Sequence, residues 1–167
     1  MSKHRPNKDE YYLGIAEAVS RRSTCLRRQY GAVIVNHDQI ISTGYVGAPR
    51  GALNCIDIAE CPRQKANIPK GERYELCRSV HAEMNAIIHA ARSDTAGGTL
   101  YLVGIERDGG NYVDCAEPCK LCKRMIINSG IALVIARQGA DRIVATEVKQ
   151  WIAAENIDLR SPSAHGY

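Results

Sequence analysis

The chain has 167 residues, of which 45% are hydrophobic and 24% charged, and its net charge is +4. This size suits one soluble domain with a real core. No apolar run approaches a membrane span, and residues 1–10 lack a signal-peptide core, so we expect a cytoplasmic protein without a membrane partner. The modest charge suits small anions, and the absence of a basic cluster predicts no nucleic-acid partner.

Cysteine is unusually frequent, with seven residues in this length. An odd number cannot pair completely in internal disulfides. Because no export signal is visible, metal ligation is a better interpretation of these cysteines than a secreted disulfide scaffold.

The first half of the chain predicts a helix, a hairpin and a long loop. Residues 9–22 show the apolar spacing of an amphipathic helix. Two short β-branched runs, 31–35 and 39–43, flank turn residues 36–38 and predict a hairpin. Residues 44–78 are rich in glycine and proline. An irregular stretch of that length predicts that something orders it.

The second half alternates helices and strands. We predict a helix at 79–92, a buried strand at 99–103, a helix at 120–128 closed by Gly130, a buried strand at 131–136, and a last helix capped by Thr146. Such alternation predicts crossover connections and an α/β sheet with helices on both faces. We expect residues 1–167 to form a single domain, with its core at about 9–156 and a loose tail at 157–167.

Two short motifs carry the chemistry. His81-Ala82-Glu83 begins one predicted helix, and Pro118-Cys119-Lys-Leu-Cys122 begins the next. The spacing of Cys119 and Cys122 puts both thiols on one side of a helical first turn, where the positive helix end favours thiolates. One histidine and two cysteines leave the fourth tetrahedral position of a catalytic zinc open.

Glu83 lies two residues from His81 and is a candidate proton shuttle rather than a fourth ligand. The combination of H-x-E with P-C-x-x-C is the known signature of zinc deaminases. In that chemistry, zinc-bound hydroxide attacks C4 of cytosine. Glu83 takes the water's proton, passes it to N3 and later helps ammonia to leave.

The chain resembles the deoxycytidylate (dCMP) deaminase family of the cytidine deaminase superfamily. The likeness is carried by the segments 31–35, 40–45, 47–49, 80–88, 99–101 and 118–131. The resemblance implies a three-layer α/β/α sandwich with a mixed five-stranded sheet, a homo-oligomer, regulation by dCTP and dTTP, and hydrolysis of dCMP to dUMP and ammonia.

The resemblance also implies residue roles. Zinc is held by His81, Cys119 and Cys122, and Glu83 moves the protons. The backbone N–H of Ala82 binds the pyrimidine carbonyl. Arg92 matches a position implicated in the response to effectors.

Some members of this family hold a second, structural zinc with cysteines placed like Cys25 and Cys55. We expect Cys61 and Cys77 to complete such a site and to order the long loop. The opposing interpretation is that these four cysteines are reduced thiols.

The sequence departs from the family pattern at two places. Val46 stands where related enzymes have an asparagine that faces the sugar, so we expect a weaker sugar contact and altered or absent nucleotide regulation. About ten extra residues, around 106–116, separate the strand at Thr99 from the Pro-Cys motif.

Other substrates stay open at this level: a free nucleoside, a modified cytosine nucleotide or an adenosine in tRNA. A phosphate site would favour a nucleotide, with Arg27, Arg28 and Arg50 as candidates. A non-catalytic zinc module that binds nucleotides is the alternative outside the enzymes, and Glu83 argues against it because a binding module needs no proton shuttle.

Overall fold

The computed structural model describes residues 5–69 and 72–158, with side chains up to residue 154. Five strands run as β1 (Arg28–Asn36), β2 (Gln39–Tyr45), β3 (Thr99–Glu106), β4 (Leu133–Gln138) and β5 (Arg142–Glu147). The helices are α1 (Lys8–Ser20), α2 (Cys55–Ile58), α3 (Pro62–Lys65), α4 (Ala82–Ile88), α5 (Arg92–Thr95), α6 (Lys120–Ser129) and α7 (Val148–Asp158). No helix among the described residues combines the length and apolarity needed to cross a bilayer.

Local sequence explains where several elements begin and turn. Asn7 caps α1 in a reciprocal capping box with Glu10. The hairpin between β1 and β2 turns at His37 and Asp38, which both have positive φ, as a tight hairpin turn requires. Gly130 ends α6 in the left-handed conformation with φ of 79°. The predicted hairpin and the predicted end of α6 are confirmed.

The sheet is mixed, in the order β2-β1-β3-β4-β5. β3 and β4 pair in parallel, joined by the crossover through α6, and the other neighbours are antiparallel. One face packs against α4, α6 and α7 around Ala32, Leu100 and Ile126. The opposite face packs against α1 around Leu13 and Val33. The expected three-layer α/β/α sandwich is confirmed.

Three expectations about the elements need correction. Thr146 does not cap the last helix, because it pairs with Val134 inside β5. The helix expected at 79–92 is divided into α4 and α5, with a break at residues 89–91. The loop at 44–78 contains the short helices α2 and α3 and a 3-10 turn at Tyr74–Leu76. The tail expected at 157–167 lies outside the described residues from 159 onward.

Candidate active site

The first half of the site lies at the start of α4. His81 is the residue before the helix, and Glu83 lies in its first turn. The helix approaches β2 so closely that a Cβ atom on Gly44 would lie 2.2 Å from the backbone oxygen of Ala82. The hydroxyl of Ser42 also donates to the backbone oxygen of Ala86 at 2.7 Å. Strand β2 therefore positions the motif through a glycine and a serine.

The second half lies at the start of α6, which follows β3 in the chain and packs on the same face of the sheet as α4. Cys119 is the residue before the helix, and Cys122 is fully buried in its first turn. The backbone N–H of Lys123 donates to the Cys119 carbonyl at 2.9 Å, which closes that turn. The i to i+3 spacing thus places both sulfur atoms at one helix end, as predicted.

The two helix ends meet. The Sγ atoms of Cys119 and Cys122 lie 3.4 and 3.3 Å from Nδ1 of His81. The three ligand atoms lie within 4.8 Å of one another. The fold therefore brings together the three residues that the motifs predict, although His81 and Cys119 are 38 residues apart in the chain.

The donor set fits zinc. A hydrogen bond from Cys122 lowers the pKa of Cys119 to about 4, although burial acts in the opposite direction. Burial acts to lower the pKa of His81, but hydrogen bonds to Cys119 and Cys77 outweigh it and raise that pKa to about 10. Two sulfurs and one imidazole nitrogen, with a thiolate favoured, match the ligands of a three-ligand catalytic zinc site.

Glu83 lies beside these ligands, only 4% exposed. Burial raises the pKa of its carboxyl, while the nearby His81 acts to lower it. A carboxyl group whose pKa is raised by burial binds a proton more readily than a solvated one, which suits a proton shuttle. Ala82, between the two, is fully buried and lines the same cavity.

The cavity extends beyond the metal-binding trio to a wall of mostly loop residues. Its lining includes His81, Glu83, Cys119, Val46, Tyr30, Tyr74, Arg27, Arg28 and Arg63. Sequence reasoning missed Tyr30, Tyr74 and Arg63. Tyr30 lies in β1, where alternation could have indicated an inward residue, but no local pattern marks Tyr74 or Arg63.

Val46 follows the end of β2 and is 7% exposed in the cavity wall. Its N–H donates to the Tyr30 carbonyl at 3.2 Å, and its carbonyl accepts from the N–H of Thr24 at 3.1 Å. These two hydrogen bonds hold the backbone on both sides of the residue, and this places the Val46 side chain in the cavity wall.

The three arginines considered for phosphate binding differ in position. Arg28 is paired with Glu106 at 2.6 Å. Arg50 contacts Nε2 of His89 at 3.1 Å and is not part of the cavity lining. Arg27 lines the cavity, and its guanidinium has no ion pair or hydrogen bond with the described residues.

The four cysteines expected to hold a second zinc lie near one another but are not assembled. Burial raises the pKa of Cys55, and Cys25, Cys61 and Cys77 act on it electrostatically in the same direction. Among the described residues, however, only the catalytic trio lies within ligand distance. Against the effect of burial, the nearby His81 instead acts to lower the pKa of the Cys77 thiol.

Arg92 lies away from this cavity. Its Nε donates to the carbonyl of Asn128 at 3.0 Å, and it lines a second cavity with Arg124 between α4 and α6.

The segment between β3 and α6 folds back beside the end of β3, the central strand. Tyr112 pairs with Ile105, and its hydroxyl donates to Glu17 at 2.6 Å. Arg107 donates to the carbonyls of Cys25 and Ser23 at 2.7 and 2.8 Å. The extra residues therefore hold the loop that precedes β1, which carries Arg27.

Comparison with known proteins agrees with this geometry. Residues 6–138 match the model of the cytidine and deoxycytidylate deaminase zinc-binding region. The chain is 40% identical over 136 residues to the deoxycytidylate deaminase of Mycobacterium phage D29, which covers 78% of this chain and 94% of the phage protein. It is 31% identical to the deoxycytidylate deaminase of Schizosaccharomyces pombe, covering 93% of this chain but 47% of the yeast protein.

Among solved structures, the chain is similar to the dCMP deaminase of cyanophage S-TIM5, with 27% identity and a TM-score of 0.55 over 83% of this chain and 88% of the phage chain. A second structure of that phage enzyme contains dCMP and dUMP. Cytidine deaminase from Burkholderia pseudomallei shares the fold at 16% identity, with a TM-score of 0.55, over 90% of this chain and 95% of the other. The chain therefore belongs to the cytidine and deoxycytidylate deaminase family and is a hydrolytic deaminase.

Proposed function

We propose that the protein hydrolyses dCMP to dUMP and ammonia. The observation that carries this proposal is the cavity in which His81, Cys119 and Cys122 converge beside the buried Glu83. The mycobacteriophage relative is named a deoxycytidylate deaminase, and the cyanophage structure is a complex with dCMP and dUMP. Arg27 in the cavity wall, whose guanidinium has no ion pair with the described residues, supports a substrate with a phosphate over a free nucleoside.

In this proposal His81, Cys119 and Cys122 would hold the catalytic zinc. When bound, zinc supplies Lewis acidity that lowers the pKa of water. Glu83 accepts one proton from the attacking water and delivers it to N3 of the ring. It then carries the second proton to the amino group, so that the C4–N4 bond breaks and ammonia leaves. The water oxygen stays on C4 as the new carbonyl.

The remaining cavity residues orient the nucleotide. The backbone N–H of Ala82 is at the first position of α4, where no intrahelical acceptor exists, so it is free to donate to the pyrimidine O2. Val46 presents an apolar surface to the sugar and cannot donate or accept there.

We also propose a second, structural zinc held by Cys25, Cys55, Cys61 and Cys77. The electrostatic coupling of the other three to Cys55 supports it, and assembly would need a rearrangement of these side chains. Metal analysis of the purified protein should give two zinc ions per chain, and one after Cys61→Ser. A single zinc in the native protein, unchanged by that substitution, would contradict the site.

A cytoplasmic homo-oligomer is part of the same proposal, and we expect Val46 to alter or abolish its regulation by the effectors dCTP and dTTP. Exposed apolar side chains on α4, α6 and α7 (Ile88, Leu121 and Ile152) support self-association. Arg92 and Arg124 at the second cavity suit a triphosphate. Light scattering gives the oligomer size, and rates with either triphosphate, in the native protein and in Arg92→Met, test the regulation. A monomer, or strong regulation by either triphosphate, would contradict this part.

The proposed reaction is tested in water labelled with heavy oxygen. Mass spectrometry should find one labelled oxygen in each dUMP, with one ammonia released per turnover. Ammonia release without dUMP, or dUMP without label, would contradict hydrolysis of this substrate.

A further inference from the structure

Arg63 is a buried cation in the wall of the active-site cavity. Only 6% of the residue is exposed. It lies in α3, and its Nη2 donates to the carbonyls of Pro69 and Glu72 at 3.0 and 2.6 Å. Its Nε is buried, and no described residue accepts a hydrogen bond from it. Buried polar groups are nearly always paired, so this donor calls for a partner that is not part of the described chain.

The charge of Arg63 is also incompletely balanced. No described carboxylate lies within ion-pair distance of it: Glu75, in the neighbouring 3-10 turn, is paired with Arg73 and interacts with Arg63 only electrostatically at longer range. The guanidinium lies 4.6 Å from the centre of the Tyr74 ring and otherwise contacts two neutral carbonyls. Arginine keeps its charge when buried, and an unpaired buried charge is costly. An anion in the cavity would remove both the cost and the unpaired donor.

The position of Arg63 suits one part of a nucleotide. Tyr74 links it to the metal-binding trio. The Tyr74 ring meets the His81 ring edge-on, with 5.1 Å between the two ring centres. A pyrimidine whose C4 is beside Glu83 would have its sugar and phosphate directed away from His81, along the cavity. The only anionic group of such a substrate is that phosphate.

We propose that Arg63 binds the 5′-phosphate and makes the enzyme selective for a nucleoside monophosphate over a nucleoside. This rests on the proposed function. The two carbonyls take both hydrogens of Nη2, so Nε, backed by the fixed charge of the guanidinium, is the donor left for a charge-assisted hydrogen bond to a phosphate oxygen. Arg63 acts as a specificity residue remote from the reacting atoms, so its loss affects substrates with a phosphate and spares those without one.

The test compares dCMP with deoxycytidine in the native protein, Arg63→Gln and Arg63→Lys. We expect Arg63→Gln to lower kcat/KM for dCMP roughly 10- to 100-fold, the effect of losing charged hydrogen bonds, and to leave deoxycytidine unchanged. Arg63→Lys should fall between them. Lys65→Gln is the matched control, since that lysine is on the same helix and its side chain is 71% exposed. Equal losses for both substrates, or no loss, would overturn the proposal.

Two further measurements test phosphate binding by Arg63 independently of the deamination reaction and of whether the variants fold. Calorimetry with the products should show that the native protein binds dUMP more tightly than deoxyuridine and that Arg63→Gln removes the difference. This result is independent of turnover, so it stands even if dCMP is not the substrate. If the variants do not fold, a crystal structure of the native protein with dUMP decides: phosphate oxygens within hydrogen-bond distance of Arg63 support the proposal, and a phosphate elsewhere refutes it.

Discussion

The two ends of the active-site cavity are built in different ways. At the metal-binding end, the side chains come from the starts of α4 and α6 and are positioned by the sheet beneath them. At the opposite end, Arg27 and Val46 come from the segments that flank β1 and β2, and Arg63 and Tyr74 come from short helical turns within the long loop at 44–78. In the proposed function, the residues for the chemistry are thus held by the starts of two helices on the sheet, whereas the residues for substrate choice lie on irregular segments and short helical turns.

The largest effect expected at the metal-binding end follows from removing a ligand. His81→Ala, Cys119→Ser and Cys122→Ser should each lose zinc and all measurable turnover, because three protein ligands are the minimum for a catalytic zinc site and serine is a poor ligand near neutral pH. Metal analysis and a dCMP assay check this.

The matched control for the ligand variants is Cys115→Ser, since that cysteine is exposed and lies outside the trio. It should keep both zinc and activity. A ligand variant with full metal and full turnover would show that the assigned ligand set is wrong.

Glu83→Ala separates the proton shuttle from the metal ligands. We expect the fold and the zinc to be retained and kcat to fall about 10²- to 10⁴-fold, the range for loss of a general acid–base group. Glu75→Ala, a change at an exposed carboxylate, is the control and should have little effect. If Glu83→Ala kept more than about a tenth of the activity, another residue would be the shuttle.

Arg107→Leu tests whether the loop-built end is held from outside the cavity. The change removes two hydrogen bonds to the loop that carries Arg27, so we expect a lower Tm and a several-fold rise in KM for dCMP, with kcat less affected. Arg21→Leu, at an exposed surface pair, should leave both unchanged. Unaltered Tm and KM in Arg107→Leu would mean that the loop is ordered without this contact.

Val46→Asn should give the smallest effect. The backbone at this position is fixed on both sides, so an asparagine amide would face the cavity and could bind the sugar. One added hydrogen bond contributes ~0.5–1.5 kcal/mol, which predicts a roughly 2- to 10-fold rise in kcat/KM for dCMP. The assay is repeated with dCTP and dTTP in the native protein and in the variant. An unchanged or lower value, with strong native regulation by either triphosphate, would contradict this account of Val46.

The contrast between the two ends also explains what could be predicted from the sequence. The ligand trio was predictable because local spacing determines which atoms meet at a helix start, and the apolar patterns of α1, β1 and β3 indicated the layers. Arg63, Tyr74 and Arg107 were not, because their roles depend on contacts between distant segments. Arg107, for example, bonds a carbonyl 82 residues away.

Strand β5 was missed for a related reason. It is largely exposed at the edge of the sheet, so its apolar signal is weak, and Thr146 was misassigned as a helix cap. The four-cysteine site stays a proposal because its expected members, from the segment before β1 and from the long loop at 44–78, do not form a ligand group among the described residues.

The most direct test of the division between the two ends is a substrate panel. Ultraviolet absorbance follows the native protein mixed separately with dCMP, CMP, deoxycytidine and cytidine. We predict the highest kcat/KM for dCMP, with slow conversion of deoxycytidine, because the metal-binding end acts on any cytosine while the loop-built end selects the phosphate. Equal rates with and without the phosphate would contradict that division, and no conversion of any of the four would contradict the proposed function itself.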